Sequence, residues 1–319
     1  MISHKPTQRR SHRRSWADTL PLWLLLPSIL LIGAIQLYPS LYTFYLSTLR
    51  NEMGTGRQLF VGLQNFERLF STPSFVQSLV HTTIFLVGYA FLAMTLALTF
   101  ALLLKQRVKL TPLYITLIFI PWIISDVIAG VVWRLFVVPD YGQLSPFFAN
   151  PKLFGEPNGI SILTTTARDQ IAPNIPFPPA PALIFLTIAA AWKILPFITL
   201  LLLAALQTVS SEVLDSAAID GASGWQTLRR ITLPLIRPML TVALFNLVLG
   251  GINGVGMVFS LTGGGPGTST EVLSYLLYSI GFSKLNFGLA AALSVFIAVV
   301  NFLLITLILR TSRANEEYA

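Results

Sequence analysis

The chain has 319 residues, is 54% hydrophobic and only 11% charged, and has a mean hydropathy of +0.71. A soluble domain carries about a quarter charged residues, so polar side chains are too few to cover a water-facing surface, and the bilayer is the expected solvent. The net charge of +8 does not indicate nucleic-acid binding, because the basic residues sit in short runs beside apolar stretches.

The chain has no cysteine, which excludes disulfides and thiolate metal sites. His4, His12 and His81 are too scattered to make a metal site. Residues 1–19 form a basic tail, and residues 20–310 read as one transmembrane domain. The start RRSHRRSW before an apolar run also fits a signal peptide, of the twin-arginine type. The run is long enough to span and shows no small-x-small cleavage site, so an uncleaved first helix is expected.

Crossing a hydrocarbon core of ~30 Å takes about 20 apolar residues. Six stretches qualify: 20–42, 76–104, 110–138, 182–206, 239–261 and 287–309. They are far too long for barrel strands, so the expected fold is all-α, a polytopic membrane protein with six transmembrane helices. Residues 311–319 form a short tail.

Between the first two spans, residues 51–74 carry FVGLQNF, in which Phe60, Val61, Leu63 and Phe66 suggest an amphipathic segment on the membrane surface. The loop 139–181 is longer and proline-rich, and it reads either as a lid or partner-facing surface or as a tolerated insertion.

Orientation follows from lysine and arginine. One set of connections holds thirteen of them and the opposite set six, while Arg134 and Lys193 lie within spans. The excess predicts both termini, and the loop 207–238, in the cytoplasm.

That loop departs furthest from a generic membrane helix. It contains DSAAIDGASGWQTLRRITLP, residues 215–234. Ser211 is the expected N-cap, with Glu212 in the first turn. Val213, Leu214, Ala217 and Ala218 give a short apolar stripe. Gly221 is expected to break the helix at positive φ. Ser223 then caps a second short helix carrying Trp225, Leu228 and Ile231, and Pro234 and Pro238 mark the return into the bilayer. The predicted shape is a helix–Gly–helix knob, with Asp215 and Asp220 available to basic groups on a partner and Ser216, Ala217 and Ala218 small enough to enter a cleft.

The loop resembles the coupling loop of permease subunits in binding-protein-dependent ABC importers, whose pattern reads roughly E-A-A-x-x-D-G-A followed by I-x-L-P. With Gly264-Gly265-Pro266 after the fifth span, FGLAAA at 287–292 and FVGLQNF, the chain from about Leu20 onward resembles the sugar-permease family. The branch is that of the maltose F subunit and the first glycerol-phosphate permease subunit. Asp215 and Ser216 depart from the usual Glu-Ala, whereas Asp220, Gly221 and Ala222 match.

The resemblance implies a prokaryotic cytoplasmic-membrane protein that forms half of a translocation path for a carbohydrate. It implies a second permease of related fold, two ABC ATPase subunits and an external solute-binding protein. It assigns ATPase coupling to Asp215, Ala217, Ala218, Asp220, Gly221, Ala222 and Pro234. No cofactor is expected on this chain, with ATP and Mg on the partner ATPase. Consistent with a non-catalytic subunit, no G-x-x-x-x-G-K-[ST], HExxH or nucleophile motif occurs; the glycine run 263–267 lacks the lysine and the following helix.

Charges at mid-bilayer cost about 2.5–3.5 kcal/mol on insertion scales, so Asp126 in the third span and Lys193 in the fourth call for a reason. They lie about one turn apart in depth and are expected to face an aqueous pathway and pair, or to form an ion pair that only locks two helices. Trp122 stands four residues before Asp126 on the same expected helix face, and Trp192 adjoins Lys193. Asn253 brings a polar group to the fifth span. The resemblance places sugar contacts near Trp122, Asp126, Trp192, Phe197, Gly250, Gly251 and Gly254. The three glycines read equally as close backbone approach to solute or as helix packing. The rival reading is an ion-coupled secondary transporter using Asp126. A phosphorylated polyol and a neutral saccharide both stay open as solute.

Overall fold

The computed structural model describes residues 16–51, 58–106, 111–139, 141–148, 162–163 and 180–313. Most of the basic tail, most of the proline-rich loop and the last six residues lie outside the described residues.

The chain opens with α1 (Trp16–Ile32), a π turn (Gly33–Leu37) and α2 (Tyr38–Ser47). Two hydroxyls on this rod are satisfied internally: Ser40 Oγ donates to the Gln36 carbonyl at 2.7 Å and Thr43 Oγ1 to that of Pro39 at 2.9 Å. None of its most apolar window is buried within the chain.

A two-stranded antiparallel ribbon follows, Leu49–Asn51 against Gln58–Phe60, with Leu49 opposite Phe60. It is a small addition to the predicted all-helical chain. The ribbon also corrects the reading of FVGLQNF as one amphipathic segment. Phe60 ends a strand, Gly62 turns the chain at φ +58°, and only Gln64 begins the helix α3 (Gln64–Ser71).

Helix α4 (Pro73–Lys105) has 33 residues, about 50 Å at 1.5 Å per residue, ample for a bilayer. Pro73 sits in its first turn, where no amide hydrogen is needed. Tyr89, Ala93, Ala97 and Ala101, spaced by four, form a buried stripe on it. They pack with α8 (Pro181–Gln207), numbered after α5 (Thr111–Ile123), α6 (Asp126–Val137) and α7 (Ser145–Phe148). Half of the most apolar window of α8 is buried, which makes it the central helix. Small residues on α4 let the two backbones approach where no hydrophobic force separates helix from lipid.

After α8 come α9 (Ser211–Ile219), α10 (Gly224–Thr227), a π turn (Leu228–Thr232), α11 (Leu233–Leu235) and α12 (Arg237–Asn253). Then α13 (Gly256–Leu261), α14 (Leu273–Tyr278) with a π turn (Ser279–Ser283), and α15 (Phe287–Arg313) complete the chain.

Among the described residues, four helices are individually long and apolar enough to cross a membrane, and up to six spans result if each of two bent pairs counts as one. Two predicted spans change form. The stretch 110–138 is α5 and α6 meeting at 96°. The stretch 239–261 is not continuous: α12 ends at Asn253, Gly254 is extended at φ −71°, ψ 113°, and α13 restarts at Gly256.

A second core joins Leu69, Phe75, Val248, Leu273, Leu276 and Leu293, and fixes α15 against α3, α4, α12 and α14. At its edge Gly288 lies against the ribbon. A Cβ there would overlap the Leu49 carbonyl oxygen and crowd Asn65 Nδ2 at 3.1 Å. Asn65, 2% exposed, donates to the Ser47 and Leu49 carbonyls at 2.9 and 2.8 Å. Gly288→Ala is therefore expected to destabilise the chain by about 1–3 kcal/mol, the usual cost of overpacking. A thermal melt of the detergent-solubilised protein would show it as a lower midpoint; an unchanged midpoint would contradict the packing described.

Candidate functional site

Ser125 opens the site. Its backbone is extended at φ −64°, ψ 153°, and its Oγ accepts from the Ile128 amide at 3.3 Å, which caps α6 and places Asp126 in the first turn. A carboxylate is favoured there by the positive helix end. Lys193, in the middle of α8, reaches across: its Nζ lies 2.8 Å from Asp126 Oδ1. The lysine side chain is 17% exposed and the aspartate 52%.

The pair borders a cavity of about 130 Å³ lined also by Phe85, Tyr89, Gly250, Gly251 and Gly254. Predicted residues from three spans thus meet around one space. The glycines divide by role. A Cβ on Gly251 would come within 2.8 Å of Leu86 and 3.2 Å of Tyr89, so that glycine allows α12 to pack on α4. A Cβ on Gly250 would meet only the Tyr89 hydroxyl, at 3.7 Å, so Gly250 leaves backbone open to the cavity. The Gly254 carbonyl accepts from Ser274 Oγ at 3.0 Å. Gly256 serves the same end: a Cβ there would stand 2.9 Å from Asp126 Cβ, so its absence lets α13 close on α6.

The expected common face of Trp122 and Asp126 does not exist. Four residues place two side chains on one face only along a continuous helix, and the 96° break lies between them. Trp122 instead stacks on Phe197, ring centroids 5.7 Å apart and planes at 11°. Trp192 packs edge-on against Trp133 at 5.6 Å. None of these three predicted aromatics lines the ion-pair cavity. Asn253 does not line it either: its Nδ2 donates to the Leu249 carbonyl at 2.8 Å, and its Oδ1 accepts from Asn301 at 3.3 Å.

Phe85 and Tyr89, stacked at 5.5 Å, were missed. The available signal was a phenol in the middle of an otherwise apolar run, at i+4 from a phenylalanine.

The loop after α8 forms the predicted knob, with two adjustments. The N-cap of α9 is Ser210, extended at φ −64°, ψ 145°, rather than Ser211. The predicted stripe Trp225, Leu228, Ile231 is interrupted by the π turn from Leu228. The rest agrees with the expectation. Gly221 has φ +77°. Ser223 closes a capping box with Gln226: the Ser223 amide donates to Gln226 Oε1 at 2.8 Å, and the Gln226 amide to Ser223 Oγ at 3.4 Å. Ala217 is buried, while Asp215, Ala218, Asp220, Gly221 and Pro234 are exposed and Ala222 half-buried. Ser216, at a position where the pattern has alanine, turns its hydroxyl back to the Glu212 carbonyl at 2.8 Å. Neither Asp215 nor Asp220 forms an ion pair among the described residues.

The chain is thus a multi-pass helical membrane protein with an ion pair beside an internal cavity and a capped knob between two of its spans. Residues 22–314 match the family described as binding-protein-dependent transport system inner membrane component, and the chain belongs to that family. Over 289 residues it is 31% identical to the trehalose/maltose transport system permease protein MalF of Thermococcus litoralis, covering 89% of this chain and 91% of that protein. It is 32% identical over 282 residues to the sn-glycerol-3-phosphate transport system permease protein UgpA of Agrobacterium fabrum, covering 88% and 90%. The fold matches a chain of the bacterial alginate ABC transporter solved with an alginate pentasaccharide-bound periplasmic protein. The TM-score is 0.74 at 22% identity, and the match covers 94% of this chain and 98% of that one. The chain is thus a multi-pass inner-membrane transport subunit.

Proposed function

We propose that this chain is the permease half of an ATP-driven importer that moves a carbohydrate delivered by an external binding protein. The observation that carries the reading is the capped knob at 211–235. It is anchored to the span core through Leu214 and Leu233, yet it presents large apolar groups to its surroundings: Ile219 is 86% exposed and Trp225 67%. Such groups on a small rigid body call for a protein partner.

That partner is an ABC ATPase subunit, of which the importer holds two, with ATP and Mg bound there and not on this chain. Asp215, Ala217, Ala218, Asp220, Gly221, Ala222 and Pro234 form or position the docking surface. Movement of the ATPases is passed through α11 into α12, which leaves the knob at a 74° bend. A second, related permease completes the path. The lysine and arginine excess supports a cytoplasmic position for both termini and the knob, with 1–19 and 311–319 as tails around the domain 20–310.

A carbohydrate solute is supported by the names of the relatives and by a cavity whose charges cancel within one ion pair. Because Asp126 is paired to Lys193, it is poorly placed to carry the coupling ion that the secondary-transport alternative needs.

Ile219→Cys tests the orientation and the partner together, since the chain has no native cysteine. A membrane-impermeant maleimide is expected to modify it in inside-out vesicles and not in intact cells, and a thiol cross-linker in the assembled complex is expected to capture the ATPase. Modification from outside intact cells would overturn the proposal.

A further inference from the structure

A larger cavity, of about 350 Å³, lies between α12, α14 and α15, and none of the roles above uses it. Its lining is mostly apolar, with the aromatic rings of Tyr278 and Phe282 among aliphatic side chains, and its polar groups come from Asn253, Ser274, Ser294 and Asn301. Its lining holds no acidic or basic side chain.

The two amides lie well along their helices, Asn253 exposed and Asn301 half-buried. At 1.5 Å per residue, Asn253 lies about 24 Å from the start of α12 and Asn301 about 21 Å from the start of α15. Polar amides at such depth are costly unless their hydrogen bonds are filled. One bond joins them, Asn301 Nδ2 to Asn253 Oδ1 at 3.3 Å, and Asn253 spends a second on the Leu249 carbonyl. Asn301 Oδ1 is buried with no hydrogen-bond partner. A pair built only to tie α12 to α15 has no use for that open acceptor beside a cavity. A small turn of the amide toward the cavity would give it a hydroxyl donor.

The aromatic wall is built as a stack. Tyr278 lies on Phe282 at 5.4 Å with planes 24° apart, and Phe259 holds Tyr278 edge-on at 5.1 Å. Phe282 is 69% exposed at the mouth. Apolar ring faces in one lining with neutral amides and hydroxyls match a molecule that has C–H faces and hydroxyl edges and no charge.

We infer that this cavity is a second solute subsite, separate from the Asp126–Lys193 cavity, and that it takes an uncharged polyhydroxylated ligand, a neutral saccharide or polyol. This rests on the reading of the chain as a carbohydrate permease and narrows its solute to the neutral class.

The assembled importer in membranes tests it, with Ser294→Cys as a single reporter thiol in the cavity. Maltose, trehalose, maltotriose and sorbitol serve as neutral probes, and glycerol 3-phosphate as the charged one. At least one neutral probe is expected to slow maleimide modification three-fold or more in a saturable way, and glycerol 3-phosphate to leave it unchanged. Asn301→Ala and, separately, the surface change Phe282→Ala are expected to reduce that protection while the second permease still co-purifies. The inference is overturned by no protection from any neutral probe, by equal protection from glycerol 3-phosphate, or by protection that survives both substitutions. Loss of the second permease on Asn301→Ala would make the cavity a subunit contact instead and would also overturn it. Protection without any uptake of these solutes would leave the subsite standing and remove the proposed transport role. Uptake without protection would do the reverse.

Discussion

Gly221→Val is expected to reduce solute uptake about tenfold or more, whereas Gly221→Asn keeps most of it. Gly221 sits at φ +77° and closes α9 with two bonds: its amide donates to the Ala218 carbonyl at 3.1 Å and the Ala222 amide to that of Ala217 at 2.9 Å. This is a Schellman end, and it aims the chain into the capped second helix. No atom lies within 4 Å of a Cβ built at Gly221, so space does not restrict the position; the backbone does. An ordinary L-residue pays about 1–2 kcal/mol to hold the left-handed conformation, and a β-branched one pays at the upper end. Asparagine visits that region readily. Since about 1.4 kcal/mol is a factor of ten, the valine strain is enough to misplace the knob in most molecules. Uptake and binding-protein-stimulated ATP hydrolysis in proteoliposomes should fall together, with the thermal midpoint nearly unchanged because Gly221 lies exposed at the turn of the knob and packs against nothing. If valine and asparagine both behave as wild type, the knob is not a coupling device.

Asp126→Asn should impair the protein more than Asp126→Asn combined with Lys193→Met. The single change leaves a lysine that is only 17% exposed without its partner. Breaking a fully buried pair costs about 3–5 kcal/mol. Asp126 is 52% exposed, so water reaches the site and the low end of that range or less applies. Even about 1.4 kcal/mol lowers a rate tenfold, and a drop in uptake of about that size is expected, with a lower melting midpoint. Removing both charges removes the stranded ammonium and should restore at least half of the lost uptake. Uptake and melting curves on the two single variants and the double one form a complete cycle. Additive losses would show that the pair is not the functional unit. A dead double variant with normal stability would favour the ion-coupled alternative, in which the carboxylate itself is indispensable.

The residues around Asp126 show how far pattern reading reaches. The run 110–138 is apolar over most of its length and long enough to span, so a single span is the natural expectation. The break depends on Ser125 acting as a cap, and a serine inside a long apolar run does not by itself reveal whether it caps a new helix or sits within a continuous one. Once the break exists, the i, i+4 relation of Trp122 and Asp126 loses its meaning. The discontinuity at Gly254 was similarly hidden: glycine in a membrane helix is as often a packing residue as an end. In the knob the opposite holds. Gly221, Ser223 and Gln226 act through local backbone geometry and near-neighbour hydrogen bonds, so their roles were readable three or four residues at a time.

By itself the amino-acid sequence determined the solvent, the helical class, the approximate spans and the knob, because each follows from composition or from interactions within one turn. Only the tertiary structure decided which polar groups meet. The joining of Asp126 to Lys193, the separation of Asn253 from that cavity and the filling of its wall by Tyr89 depend on how distant helices are rotated and bent against one another. Rotation and bending are fixed by packing contacts between residues far apart in the chain, and no local pattern carries that information.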